Sequence, residues 1–351
     1  MFVRIIDLHA SDWQQLMMRR DRLPHALLLC GRQGLGKFDL AVALAASLLC
    51  EERRDSGEAC GQCLACGWLA QDNHPDLRLL QPQSLAVVGG DAGEEEDPAK
   101  AKKLSQQITI DQVRALDDFL HVGTHRHGAR VVLLNPAEAM NRATANALLK
   151  SLEEPIANTQ FILVSSNPHR LLPTIRSRCQ TVSVPLPSRA AGTAWLDDAG
   201  VADPDDWLAL AAGAPVLALA LSSSGERSLV DALLAEVSGG AGVDPLASAA
   251  TLERAIRNEK RPAPLRRLLE WAQKWLFDLL LATEEQPPRY FVRQAALLHD
   301  LARETDTRRI LAFSRKALQC KAQCEQPVNN RLFLEDFFLG YVRVFRSHRA
   351  W

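Results

Sequence analysis

The stretch from His25 to Cys50, HALLLCGRQGLGKFDLAVALAASLLC, constrains the fold more than any other part of the chain. A short apolar run, HALLLC, leads into a glycine loop and then into FDLAVALAASLLC, whose apolar residues recur at helical spacing. Strand, glycine loop and helix, in that order, is the context in which a G-x-x-x-x-G-K-[ST] phosphate loop acquires meaning. Gly31, Gly36 and Lys37 stand at the motif positions, with Gly34 between them, and Phe38 takes the place of the hydroxyl residue. Successive backbone N–H groups and the helix N-terminus would cradle phosphate oxygens, with Lys37 adding a cation.

Two more buried strands follow, ARVVLLN and TQFILVSSN, each a short β-branched or apolar run. Between them ATANALLKSLEE has its apolar residues three and four apart, as a helix does. Strands alternating with helices give an α/β class, with a parallel sheet covered on both faces. After VPLPSRA the pattern changes. From Ala190 onward the periodicity is helical, as in APLRRLLEWAQKWLFDLLLA, with no convincing strand. At 351 residues the chain is too long for a single core. Breaks at PLP near Pro187 and SSSGERS around Ser223 predict three domains, residues 1–187, 188–225 and 226–351. The segment Gly89–Gln106, GGDAGEEEDPAKAKKLSQ, reads as a solvated loop or insertion.

A phosphate loop that serves hydrolysis needs a metal site, and here its ligands are missing. The hydroxyl that would hold Mg²⁺ is replaced by Phe38, which has no oxygen to offer. The strand VVLLNPAE should end in an Asp followed by a Glu that activates water, yet Asn135 and Pro136 stand there. Glu138 is acidic but lies two positions further on, and its direction is not given by the sequence. The expectation is no functional Mg-ATP site, with at most weak, metal-independent binding of nucleotide, phosphate or sulfate at Gly31, Gly34, Gly36 and Lys37.

No apolar run approaches the ~20 residues that span a bilayer, and MFVRIIDLHASDW lacks a basic region before a long apolar stretch. A cytosolic, reducing setting is therefore expected, where a cysteine cluster is read as a metal site before a disulfide framework. Four of the eight cysteines cluster, as Cys50 and Cys60-x-x-Cys63-x-x-Cys66. Two-residue gaps let thiolates converge on one tetrahedral ion, and four sulfurs make a closed, structural Zn²⁺ site over residues 50–66. Gly61 eases the turn; the alternative is a set of free thiols in a loop. Cys30 reads as core, and Cys320 and Cys324 as small buried hydrophobes on one helix face. The net charge of −1 gives no reason for a free-standing nucleic-acid binder. Lys260, Arg261, Arg266 and Arg267 keep open a zinc-dependent nucleic-acid-binding alternative.

NALLKSLEEP (Asn146–Pro155), FILVSSNPHRLLPTIRSRC (Phe161–Cys179), HPDLRLL, the inserted cysteine cluster and QPVNNRLFLEDFFL resemble the AAA+ subunits of bacterial DNA polymerase III clamp loaders. These assemblies open ring-shaped sliding clamps and place them on primed DNA. The resemblance implies an AAA+ α/β domain with an inserted zinc module, a helical lid and a helical collar domain. It implies a place in the polymerase holoenzyme, and partners in the ATPase subunits (gamma/tau), the clamp-opening delta subunit and, through the assembly, clamp and DNA. Because Phe38, Asn135 and Pro136 break the metal site, the chain is similar to a member of the family that does not hydrolyse ATP. An active motor of the same assembly is the competing reading. A motor carries a lid arginine in a GSxR-like motif, where GAPV places Val216 here. In SRC, Arg178 matches the family's arginine finger, which serves a neighbour's ATP site; Arg176 falls outside that motif. Ser165 and Ser166 stand where the family keeps a polar nucleotide sensor.

Overall fold

The computed structural model of the protein describes residues 4–86, 105–122, 124, 128–259, 261–323 and 329–345. The acidic part of the 89–106 segment, Lys260 and Cys324 lie outside the described residues, as do the surroundings of the Cys320 side chain. The chain divides into two compact units, Met1–Ala191 and Gly192–Trp351.

The first unit is built on five parallel strands: β1 (Ala26–Cys30), β2 (Leu77–Leu80), β3 (Arg130–Leu134), β4 (Thr159–Ser165) and β5 (Gln180–Ser183). They lie in the order β2-β3-β4-β1-β5, with Leu28 opposite Leu163 on one side and Thr181 on the other. Every residue of β1, β3 and β4 is buried, which is why each carries a short continuous apolar run, with Arg130, Thr159, Gln160 and Ser165 the polar residues buried at the strand ends. The two edge strands are different. β2 is half open and β5 mostly exposed, so neither carries the continuous apolar signal of a central strand. Helices Lys37–Leu49, Ile110–His121 and Arg142–Glu153 belong to this unit. Thr109 starts the second with a reciprocal cap, its hydroxyl accepting from the Gln112 amide while the Gln112 side chain accepts from the Thr109 amide. Leu28, Val132, Phe161, Leu163, Leu148 and Leu152 pack into one core.

This order places β1 between β4 and β5, while the chain leaving β1 returns at the far edge as β2. The carboxyl ends of β1, β3 and β4 therefore open onto one crevice, where ligands of open α/β sheets bind. It is the AAA+ type of sheet that the motif resemblance implies. No single helix among the described residues is long and apolar enough to cross a membrane.

The second unit is helical throughout its described residues. Its longest helix, Pro264–Thr283, buries Trp275, whose indole N–H donates to the Tyr341 hydroxyl at 3.0 Å. That hydroxyl donates in turn to the Val237 carbonyl at 2.7 Å, so a buried polar chain is satisfied end to end. On the same helix the Asp278 carboxylate, fully buried, accepts the amides of Arg289, Tyr290 and Phe291 at 2.7–2.8 Å.

Candidate functional site

The phosphate loop leaves β1 at Gly31 and enters the Lys37–Leu49 helix at Gly36. Gly34 and Gly36 adopt φ of 80° and 74°, the left-handed region that favours glycine. A Cβ on Gly31 would stand 2.6 Å from the Val184 carbonyl oxygen, so glycine is required there by close approach. Gly36 caps the helix with no side-chain hydrogen bond to its first amides. His9, buried in the N-terminal helical segment, places Nε2 2.6 Å from the Leu35 carbonyl, a contact that a ring N–H satisfies. The shape of an anion cradle is present.

Its cation is turned inward. Lys37 is only 5% exposed, and Nζ donates to the Arg32 carbonyl at 2.6 Å and the Ser166 hydroxyl at 2.9 Å. Burial draws its pKa below the ordinary lysine range, against the opposing pull of Glu138 and Cys30. Glu138, whose direction the sequence left open, is found in the same crevice. Its Oε1 accepts the amides of Ser166 at 2.9 Å and Asn167 at 3.1 Å. Ser165, fully buried at the end of β4, accepts the Asn167 amide at 3.2 Å. Asn135 follows β3, and its amide donates to the Leu80 carbonyl at 3.0 Å. Phe38 is the second residue of the helix and brings no oxygen.

The four cysteines converge. Cys50 caps the C-terminus of the Lys37–Leu49 helix, Cys63 caps the N-terminus of the Leu64–Ala70 helix, and Cys66 lies within the latter. Sγ–Sγ separations are 3.8 Å for Cys50–Cys63, 3.8 Å for Cys60–Cys66 and 3.7 Å for Cys50–Cys66, and all four sulfurs lie within 4.8 Å of one another. A tetrahedron with metal–sulfur bonds of ~2.3 Å has edges of roughly 3.8 Å, so the sulfurs stand where one ion would need them. The Cys60, Gly61, Gln62 and Cys63 amides donate to the sulfurs at 3.2–3.3 Å, a pattern that favours thiolates. Gly61 turns at φ 77°. Burial opposes ionisation of Cys63, yet hydrogen bonds from the Cys66 and Glu51 amides and from neighbouring thiols bring it down to about 6; burial pushes Cys66 up to about 12. The set can hold a metal ion and, being all protein, leaves no position for a reactive ligand.

Arg178 stands apart from both groups. Its guanidinium, 34% exposed, meets Glu153 Oε1 at 2.5 Å and donates to the Thr174 carbonyl at 3.0 Å. Arg176 is exposed. Val216 belongs to the Pro215–Ser223 helix of the second unit. Cys30 is buried in β1, as expected of a core residue. The basic residues that kept a nucleic-acid reading open are largely engaged. Arg261 reaches Glu226 and Glu259 at 2.6 Å each, Arg267 meets Glu259 at 2.9 Å, and Arg266 pairs with Glu270 at 3.6 Å. Glu226, 3% exposed, also accepts the Trp271 indole N–H at 2.7 Å, which marks this group as an internal staple rather than an anion-binding face.

The family model described as "DNA polymerase III, delta subunit" matches residues 9–187, and "DNA polymerase III, delta subunit, C terminal" matches residues 248–341. DNA polymerase III subunit delta' of Pseudomonas aeruginosa is 35% identical over 93% of this chain and 94% of its own length. The subunit of the same name from Escherichia coli is 30% identical over 90% of this chain and 88% of its own. DNA polymerase III subunit tau of Salmonella typhimurium is 32% identical over 45% of this chain and 21% of its own. With a parallel AAA+-type sheet, a phosphate loop lacking its metal ligands and a converged set of four cysteines, the chain belongs to the family of DNA polymerase III delta' subunits, components of the bacterial clamp loader.

Proposed function

We propose that this chain is a non-hydrolysing wall of the clamp loader that lends Arg178 to the ATP site of a neighbouring gamma/tau subunit. The observation that carries the first half is the state of Lys37, whose Nζ is held by the Arg32 carbonyl and the Ser166 hydroxyl. Phe38 and Asn135 offer no anionic or hydroxyl ligand for magnesium, so in-line attack on a γ-phosphate has neither its metal nor its base. For the second half, Arg178 lies on the short turn after Pro173–Arg176, half-exposed and oriented by Glu153. Across a subunit boundary the guanidinium would exchange that carboxylate for γ-phosphate oxygens and spread the charge that develops during transfer. Arginine fingers contribute on the order of 10³–10⁵ in rate.

In this reading the ion held by Cys50, Cys60, Cys63 and Cys66 is Zn²⁺, with a structural role, and residues 188–225 and 226–351 act as lid and collar. The other partners are the delta subunit, braced across the ring gap, and the sliding clamp and primed DNA through the assembly. ATP turnover of a reconstituted clamp loader carrying Arg178→Ala, with the isolated chain as control, tests the proposal. An inert isolated chain and a slowed assembly are expected.

A further inference from the structure

The crevice at the ends of β1, β3 and β4 is not an empty phosphate site awaiting a ligand, because the protein has brought its own anion to it. Lys37 is 95% buried by its 5% exposure, and a buried ammonium is costly unless a counter-charge accompanies it. No ligand within the loop supplies one: Nζ is met by a carbonyl and a hydroxyl, both neutral. The charge comes from Glu138. This carboxylate is close enough for its field to strengthen the lysine's hold on its proton. The connection is also structural, since the hydroxyl of Ser166 accepts from Lys37 while the amide of the same residue donates to Glu138 Oε1. The adjoining Asn167 amide donates to the same oxygen. Glu138 Oε2 is buried with no hydrogen-bond partner of its own, which leaves the field of Lys37 to offset its charge.

We infer that Glu138 is the residue that sets the specificity of this cradle against polyphosphates, acting as a resident anion that occupies the amides of residues 166 and 167 and opposes an incoming phosphate beside Lys37. The inference rests on the non-hydrolysing reading and deepens it. Loss of magnesium ligands explains why nucleotide is not cleaved, but leaves the glycine loop and lysine formally able to bind it. A fixed carboxylate explains why the loop stays silent. A phosphate entering the cradle would meet like charge beside the amides of Ser166 and Asn167, at a distance short enough for the repulsion to act although both residues are open to solvent. It would also have to compete for Lys37 with two hydrogen bonds already made.

The test is calorimetric binding of inorganic pyrophosphate and of ADP to the full-length chain in EDTA. Wild type is compared with Glu138→Gln and with the double variant Glu138→Gln, Lys37→Ala. Glutamine keeps the side-chain oxygen for the two amides and removes the charge. The expected result is a gain of at least about tenfold in affinity, the effect of one opposed charge at short range, and loss of that gain in the double variant. Glu138→Ala, checked for a cooperative melt, is expected to give the same gain and serves if the glutamine variant does not fold. Equal affinity in wild type and both single variants would overturn the inference. So would a gain that survives Lys37→Ala, since the new site would then lie elsewhere. Because the binding is read without metal and without turnover, it can fail while the Arg178 experiment succeeds, and the reverse.

Discussion

One helix, Lys37–Leu49, carries two sites of opposite character at its two ends. At its N-terminus the phosphate cradle keeps its backbone, with Gly34 and Gly36 in left-handed conformations, but its metal ligands are replaced and its lysine is turned inward. At its C-terminus Cys50 joins three other thiols whose sulfurs are spaced for one tetrahedral ion. The first site keeps the backbone form without the side-chain ligands magnesium would need, and the second sets four thiols where one ion could be held. The difference follows from what each does for the fold. The glycine loop must be retained because it links β1 to the helix through a place where a Cβ would strike the Val184 carbonyl. Hydrolytic groups are not needed for that, so they can be lost while the loop stays. The cysteines hold an excursion with few buried apolar residues of its own, so removing one removes the reason the segment is ordered.

The largest effect should therefore come from the second site. Cys66→Ser should abolish stoichiometric zinc in the purified chain and lower its melting temperature, since structural zinc sites in small modules contribute on the order of 10 kcal/mol of apparent folding energy. Metal analysis of wild type showing no zinc would break the comparison at once. Lys37→Ala should behave as a structural substitution, costing about 1–3 kcal/mol because Ser166 and Glu138 lose a partner in the crevice. In a working motor the same change would disable nucleotide binding; here turnover of the reconstituted assembly should be unaffected. A collapse of turnover would mean that the cradle still does chemistry.

The smallest effect lies outside both sites and serves as their control. Hydrogen bonding from Arg261 holds Glu259 down to about 2 from its ordinary 4.5. A carboxylate with a lowered folded pKa stabilises the protein above its unfolded value, and that contribution disappears as pH falls from about 4.5 toward about 2. The pair lies near the surface, so the loss should be small. Glu259→Gln should flatten this part of an acid-unfolding profile without changing zinc content.

Much of this was legible in the sequence where one short segment carries the whole signal. β1, β3 and β4 each carry a short continuous apolar run because they are buried on both faces, and the cysteine site shows in its two-residue gaps. β2 and β5 were not legible as strands, since at the sheet edges LRLL is half open and QTVS mostly exposed, and neither carries a continuous buried apolar run. Glu138 could be named but not placed. Its role depends on the loop after β3 meeting the loop after β4, 28 residues away in the chain. The same holds for Arg261, which reads in the sequence only as one of a group of basic residues, while its partner Glu226 lies 35 residues away. His9 gave no signal, because its contact with the carbonyl of Leu35 joins residues 26 apart in the chain.

In the proposed reading this chain contributes to hydrolysis only at a site it does not own. The direct test is steady-state ATP turnover of a reconstituted clamp loader with wild-type or Arg178→Ala chain, beside the isolated chain. The isolated chain should show no turnover, and Arg178→Ala should remove turnover at the one neighbouring site that Arg178 serves. Hydrolysis by the isolated chain, or an assembly indifferent to Arg178→Ala, would contradict it.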